Sequence, residues 1–269
     1  MGNWANRKAP FVLVLVCLSL FAIPLFAQST LTPTQAAIEK QRERLTATDV
    51  EERRDAVMRL GNLHVPEASR AAMPALSDPS PIVRAMAAKA VLSVEPEHAV
   101  ASLLPLLKDK DEFVRRETAY ALGRTHSRSA TAPLSELLLK DKEDGVRGAA
   151  AVALGEIADE AGVISLVGAL APELSAGGSG KRKREKNVFV LRAAAAALGK
   201  IKSRAGTAAL ISVMNNEKLD SDVRREAARS LGLIGDPAAA SALRTASTAA
   251  DPYLSQLAYQ ALKRLERSN

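Results

Sequence analysis

Three histidines are the most versatile catalytic or metal-binding side chains in this sequence, and their spacing makes them poor partners. His64 and His126 stand 62 residues apart, and His98 lies between them. A shared metal ion needs ligands converging within a few ångströms. Nothing in the surrounding sequence supplies an HExxH helix, a GxSxG elbow or a DxDxDG calcium loop. The stretch Gly177–Gly178–Ser179–Gly180–Lys181 resembles a phosphate-binding loop, but GxxxxGK[ST] is not met because Arg182 follows Lys181. Cys17 is the only cysteine and falls inside an apolar N-terminal run. Once that run is removed the chain has no thiolate, disulfide or cysteine metal site. No catalytic constellation and no cofactor or metal site is expected.

Charge is concentrated instead. The net charge is +7. Without Arg7 and Lys8 it is +5, and residues 181–186 (Lys181, Arg182, Lys183, Arg184, Glu185, Lys186) carry +4 of that excess. The run sits in a segment of about residues 176–187 that opens with Gly and Ser. It reads either as an electrostatic contact for an acidic protein, anionic lipid head groups or another polyanion, or as a solvated loop tolerant of charge. With only 3% aromatic residues, the chain offers little for stacking single-stranded nucleic acid bases.

The elements that must position these residues follow from a repeat. Asp111–Gly123 reads DEFVRRETAYALG, and related stretches end at Gly155, Gly199 and Gly232, with weaker copies ending at Gly61, Leu92 and Lys263. The steps between these seven anchors are 31, 31, 32, 44, 33 and 31 residues. A near-constant period of this size marks a solenoid of about seven units, the long step holding the basic insertion. Within a unit, Val114, Thr118, Ala121 and Leu122 repeat at helical spacing, and the preceding half (Pro96–Lys108) forms a second amphipathic helix. Pro66, Pro96 and Pro237 suit a first helical turn, whereas Pro74 and Pro105 should kink the first helix of their units. Pro33 and Thr34 can start the first helix of the first unit. Its polarity, like that of the C-terminal KRLERSN, fits an exposed end of a stack. The fold class is all-α, a single α-solenoid domain spanning 28–269.

These features resemble HEAT repeats, in particular the short HEAT-like class also found in phycobilin lyases. The resemblance rests on a proline in the first helix, an Asp near the turn, and VR and ALG in the second helix. Asp78 and Arg84, Asp109 and Arg115, and Asp141 and Arg147 are each six residues apart. The resemblance implies that they form a ladder of hydrogen bonds between successive units. Leu191 and Ser255 occupy the Arg slot, so the ladder should weaken in the fifth and seventh units. The resemblance also implies that the second helices line a concave binding surface. Its exposed positions would be Arg116, Glu117, Tyr120, Arg124, Arg192, Lys200, Arg225 and Arg229.

Residues 1–27 read as a signal peptide: Arg7 and Lys8 precede an apolar run, and Ala27–Gln28 is a plausible cleavage point. The alternative is an uncleaved anchor, since the run is slightly short of the roughly 20 residues of a spanning helix. The expectation is an exported, non-enzymatic scaffold, periplasmic or at the cell surface, that holds a protein partner on its concave face. A polyanion or membrane-surface binder acting through 181–186 is the alternative. A bilin lyase-like activity is the weakest, resting on the resemblance alone.

Overall fold

The computed structural model describes residues 31–170 and 187–268. The expected signal peptide and basic loop therefore lie outside the described residues. The rest forms seven helix pairs: α1 (Pro33–Arg44) with α2 (Val50–Asn62), α3 (Pro66–Ala72) with α4 (Pro81–Ala90), and α5 (Pro96–Leu103) with α6 (Glu112–Arg124). They are followed by α7 (Thr131–Lys140) with α8 (Asp144–Ile157), and α9 (Val163–Leu170) with α10 (Val188–Ile201). The last pairs are α11 (Thr207–Asn215) with α12 (Ser221–Ile234), and α13 (Ala240–Ala246) with α14 (Pro252–Ser268). No strand occurs among the described residues.

Several helices start at a side-chain cap or a proline. Thr32 and Gln35 form a reciprocal capping box at α1, and Asp49, Asp111, Asn187 and Asp220 accept backbone N–H bonds at the starts of α2, α6, α10 and α12. Pro66 and Pro96 occupy first turns, where the missing N–H has no cost. Pro74 and Pro105 do more than kink their helices. Each helix tightens into a 3-10 turn, at Met73–Ser77 and Leu104–Lys108, because proline removes the i→i−4 bond and its ring crowds the carbonyl of that turn.

The ALG triplets carry the stacking. Their leucines, Leu122, Leu154, Leu198 and Leu231, are fully buried in one continuous core with first-helix residues such as Leu103, Leu134, Leu166 and Leu210. Their glycines face the next unit. A Cβ on Gly123 would fall 2.7 Å from the Ala153 Cα, and one on Gly232 would fall 2.7 Å from the Ala261 Cβ. Gly61, Gly155 and Gly199 stand in the same way against Ala90, Ala197 and Ser230. A glycine thus meets the residue that opens the triplet one unit later, so the backbones of successive second helices nearly touch.

The second helices α2, α4, α6, α8, α10, α12 and α14 accordingly pack in one continuous row, whereas neighbouring first helices meet only sparsely. A stack spaced more tightly along one row than the other curves toward the tight row, so the second helices are the inner row. The second unit departs from the pattern. Its anchor is Leu92, its α-helix stops at Ala90, and Val91–Ser93 continues as a 3-10 turn.

After the triplet the chain reverses through a left-handed residue. His64, His126, Ala158, Lys202 and Gly235 have φ of 51°, 52°, 56°, 59° and 72°. This accounts for two of the three histidines: they fill a position best suited to glycine, and histidine is among the side chains enriched there.

Two expectations follow. Gly123→Leu should destabilise the fold by about 1–3 kcal/mol, because the new side chain meets helix backbone that cannot yield without separating α6 from α8. Ser230→Ala should be neutral or slightly stabilising, since the buried Ser230 hydroxyl has no hydrogen-bond partner. Urea melts followed by circular dichroism measure both.

Candidate functional site

Guanidinium–carboxylate pairs tie the units together along the turns. Arg84 Nε and Nη2 bond both carboxylate oxygens of Asp109 at 2.7 and 2.9 Å, while its Nη1 donates to the carbonyls of Asp78 and Pro79 in its own unit. Arg115 repeats this with Asp141 and with the carbonyls of Asp109 and Lys110. The residues six apart, Asp78 and Arg84 for instance, thus meet through the Asp carbonyl, and the side-chain pairing runs to the following unit.

Arg53 forms the first rung, with Asp78. Sequence reasoning missed it, although Arg53 precedes Gly61 by the same eight residues that separate Arg84 from Leu92. Arg147 donates to the Asp141 and Lys142 carbonyls and pairs with Asp144 in its own helix. The segment after its unit, 171–186, lies outside the described residues. Leu191, in the Arg slot, is buried and apolar. Ser255 donates instead to the Ser247 carbonyl.

Each carboxylate in the ladder is held in its charged form. For Asp109, burial pushes the pKa up, but the Arg84 guanidinium and the Asp111 N–H more than offset it, and the group lies below its ordinary value of 3.8. Asp78 and Asp141 are lowered in the same way by Arg53 and Arg115 against their own burial. A second set of bridges joins first helices: the Ser127 and Ser129 hydroxyls donate to Glu97, Thr131 to Asp159, and Thr207 to Asp236.

The residues expected to line the inner surface divide into three groups. Arg124, Arg192, Lys200 and Arg229 are exposed on inner-row helices. Lys200 pairs with Glu156, and Arg229 Nη1 lies 3.7 Å from Glu226. Arg116 and Tyr120 are half-buried. The Arg116 guanidinium lies 5.1 Å over the Phe113 ring. Burial pushes the Tyr120 phenol up from its ordinary value, and the nearby Glu117 adds to the effect against Arg116.

Glu117 and Arg225 do not belong on an exposed list. Glu117 is only 9% exposed, wedged between the Lys89 ammonium at 2.6 Å and Arg116 at 3.4 Å, because an uncompensated carboxylate at this depth would be costly. Arg225 is a rung of the ladder: its Nε and Nη2 bond Asp251 at 2.9 and 3.0 Å, and its guanidinium stacks over Tyr253. Five residues separate α11 from α12, against three between Lys108 and Glu112. The longer turn lets Arg224 reach back to the Met214 carbonyl, and the rung passes to Arg225.

Among the described residues no three His, Cys, Asp or Glu side chains are grouped to hold a metal ion. His64, His98 and His126 are all exposed, and His126 Nδ1–H donates to the Glu156 carbonyl at 2.8 Å. The inner row does contain a cleft of about 370 Å³, between the C-terminal ends of α2, α4 and α6, lined by Met58, Met86, Lys89, Leu92 and Arg124 among others. No helix among the described residues is long and apolar enough to cross a membrane.

A family model described as HEAT repeats matches residues 38–123, 100–173 and 183–263. The chain belongs to the HEAT-repeat family. The chain is similar to several solved structures. One is YibA of E. coli, 20% identical, covering 87% of this chain and 82% of that one with a TM-score of 0.60. A chain from the structure of Kap95p bound to RanGDP is 13% identical and covers 87% of this chain and 36% of that one, with a TM-score of 0.58. The CpcE–CpcF phycocyanin lyase complex of Nostoc is 25% identical over 93% of each chain, with a TM-score of 0.49. Among curated protein sequences none matches.

Two outcomes follow from the charges. The ladder carboxylates have depressed pKa values, so their stabilisation is complete above the ordinary value of 3.8 and is lost as pH falls through the folded-state value. Thermal melts should therefore be nearly flat from about pH 7 to 5 and drop steeply toward pH 3. Asp109→Asn should melt lower at pH 7 and show a shallower acid limb, since Arg84 already lacks its charged partner. Lys89→Met should also cost stability, because it leaves the buried Glu117 with the longer Arg116 contact alone. If Lys89→Met melts like wild type while Glu117→Gln weakens partner binding, Glu117 is a binding residue after all.

Proposed function

We propose that this HEAT-repeat protein is an exported, non-enzymatic scaffold that holds a protein partner along its inner helix row. The observation that carries the reading is the uninterrupted row of seven second helices, which presents Arg116, Tyr120, Arg124, Arg192, Lys200 and Arg229, with an open cleft reached by Arg124 at its N-terminal end. Repeat stacks create extended surfaces of this kind, and Tyr and Arg at such positions are common in interfaces. The solved structure of Kap95p with RanGDP shows a protein of this fold engaged with a protein partner. That supports partner binding as a use of the fold. The export part of the proposal rests on residues 1–27.

A capture experiment tests it. The chain from Gln28 onward, immobilised and exposed to envelope extract at about 0.15 M salt, should retain one or two proteins through a wash at several-fold higher salt, where exposed charge contacts are screened. Replacing Tyr120 and Arg116 together by Ala should release them. Binding that is broad and collapses in salt, and that disappears when Lys181, Arg182, Lys183, Arg184 and Lys186 become Ser, would contradict the scaffold and favour a polyanion or membrane-surface binder.

A further inference from the structure

The cleft at the N-terminal half of the inner row exists because one unit breaks the stacking rule. At every other interior anchor a glycine lets the next helix close down on the backbone. The second unit has Leu92 there, and α4 ends at Ala90. The turn after it also lacks the left-handed residue found in the other units: Glu95 has φ −50°. The three helices therefore leave a cleft of about 370 Å³ between their C-terminal ends, at the small end of the range for ligand pockets and large enough for one or two residues of a peptide.

Its lining has two characters. Met58 is 49% exposed, and with Met86 and Leu92 it provides an apolar base that can remould around a side chain. Lys89, His64 and Arg124 supply the polar side, and no carboxylate is among the lining residues. Lys89 is engaged by the buried Glu117. Arg124 is exposed and makes no ion pair among the described residues. The cleft thus offers an apolar floor beside a single uncommitted guanidinium, which can take a carboxylate through two parallel hydrogen bonds.

We propose that this cleft is the specificity pocket of the scaffold, and that its occupant is a short segment of the partner in which an apolar side chain is followed closely by a carboxylate. The apolar side chain lies on Met58, Met86 and Leu92, and the carboxylate pairs with Arg124. One free cation next to an apolar floor suits such a peptide better than a polyanion, which draws its affinity from several cations at once. The proposal rests on the scaffold reading and narrows it to a partner chemistry.

The test uses protein labelled with ¹³C at its methionine methyl groups. Met73 and Met214 lie outside the cleft, and Met214 is fully buried, so both are internal controls. The probe is an acetylated, amidated octapeptide with two Leu–Asp pairs between Gly and Ser residues, compared with the same peptide carrying Lys for each Asp. The acidic peptide should shift the Met58 and Met86 methyls saturably and leave Met73 and Met214 in place, and the basic peptide should shift neither. Arg124→Glu should weaken the acidic peptide by about tenfold or more without moving the control methyls. Equal shifts from both peptides, no shift at Met58 and Met86, or unchanged affinity in Arg124→Glu would overturn the proposal. Should a partner captured by the wild type bind Arg124→Glu and Met58→Asp equally well, the pocket assignment fails and the scaffold stands. Capture of nothing by the wild type removes the scaffold reading itself.

Discussion

Everything in this molecule depends on how closely one second helix can approach the next. Glycine at the end of each ALG triplet removes the only atom that would hold the backbones apart, and alanine or serine opposite it keeps the gap filled. That contact is repeated with little variation from Gly61 to Gly232. It draws the inner row together, and the looser first helices must follow on the outside. The curvature and the continuity of the inner surface both come from it. Close packing of this kind tolerates no added volume, which is why the one unit that replaces glycine by Leu92 also has a shortened helix and a cleft.

Polar chemistry then fixes how successive units sit on one another. Van der Waals contact between small residues is weakly directional, and helices packed on it alone could slide. The ladder from Arg53 through Asp78, Arg84, Asp109 and Arg115 to Asp141 supplies direction, because each guanidinium is clamped at once by two carbonyls of its own turn and a carboxylate of the next. The hydroxyl–carboxylate bridges at Glu97, Asp159 and Asp236 do the same between first helices. Buried pairs of this sort add little net stability over apolar replacements, and their best-supported role is to specify one arrangement. Here they join each turn to the next along the stack.

The period, the two-helix unit and the count of seven were legible in the sequence because the pattern that encodes them is local: a triplet, a turn residue and a helical stripe. What depended on loop length was not. The shift of the sixth rung from Arg224 to Arg225 follows from two extra residues in one turn, and no side-chain pattern announces it. Arg53 was detectable by counting back eight residues from Gly61, and it was missed because the first unit lacks the clear Asp–Arg spacing of its neighbours. The candidate inner residues, taken from the family resemblance, all lie on second helices, α6, α10 and α12. Periodicity does not determine depth: Glu117 lies on the inner face yet is buried, because Lys89 from the preceding unit reaches over to neutralise it. The cleft could not have been read at all, as it arises from an irregularity between three helices.

The central claim is that a partner lies on the inner row, and site-specific photo-crosslinking in the native cell tests it most directly. A photoreactive residue would be placed at Met58 or Tyr120 on inner-row helices, and at Ile164, which is 71% exposed on the first-row helix α9. The same discrete adduct should form from positions 58 and 120 and be absent from position 164. An adduct from 164 alone, or equal adducts from all three, would contradict the account.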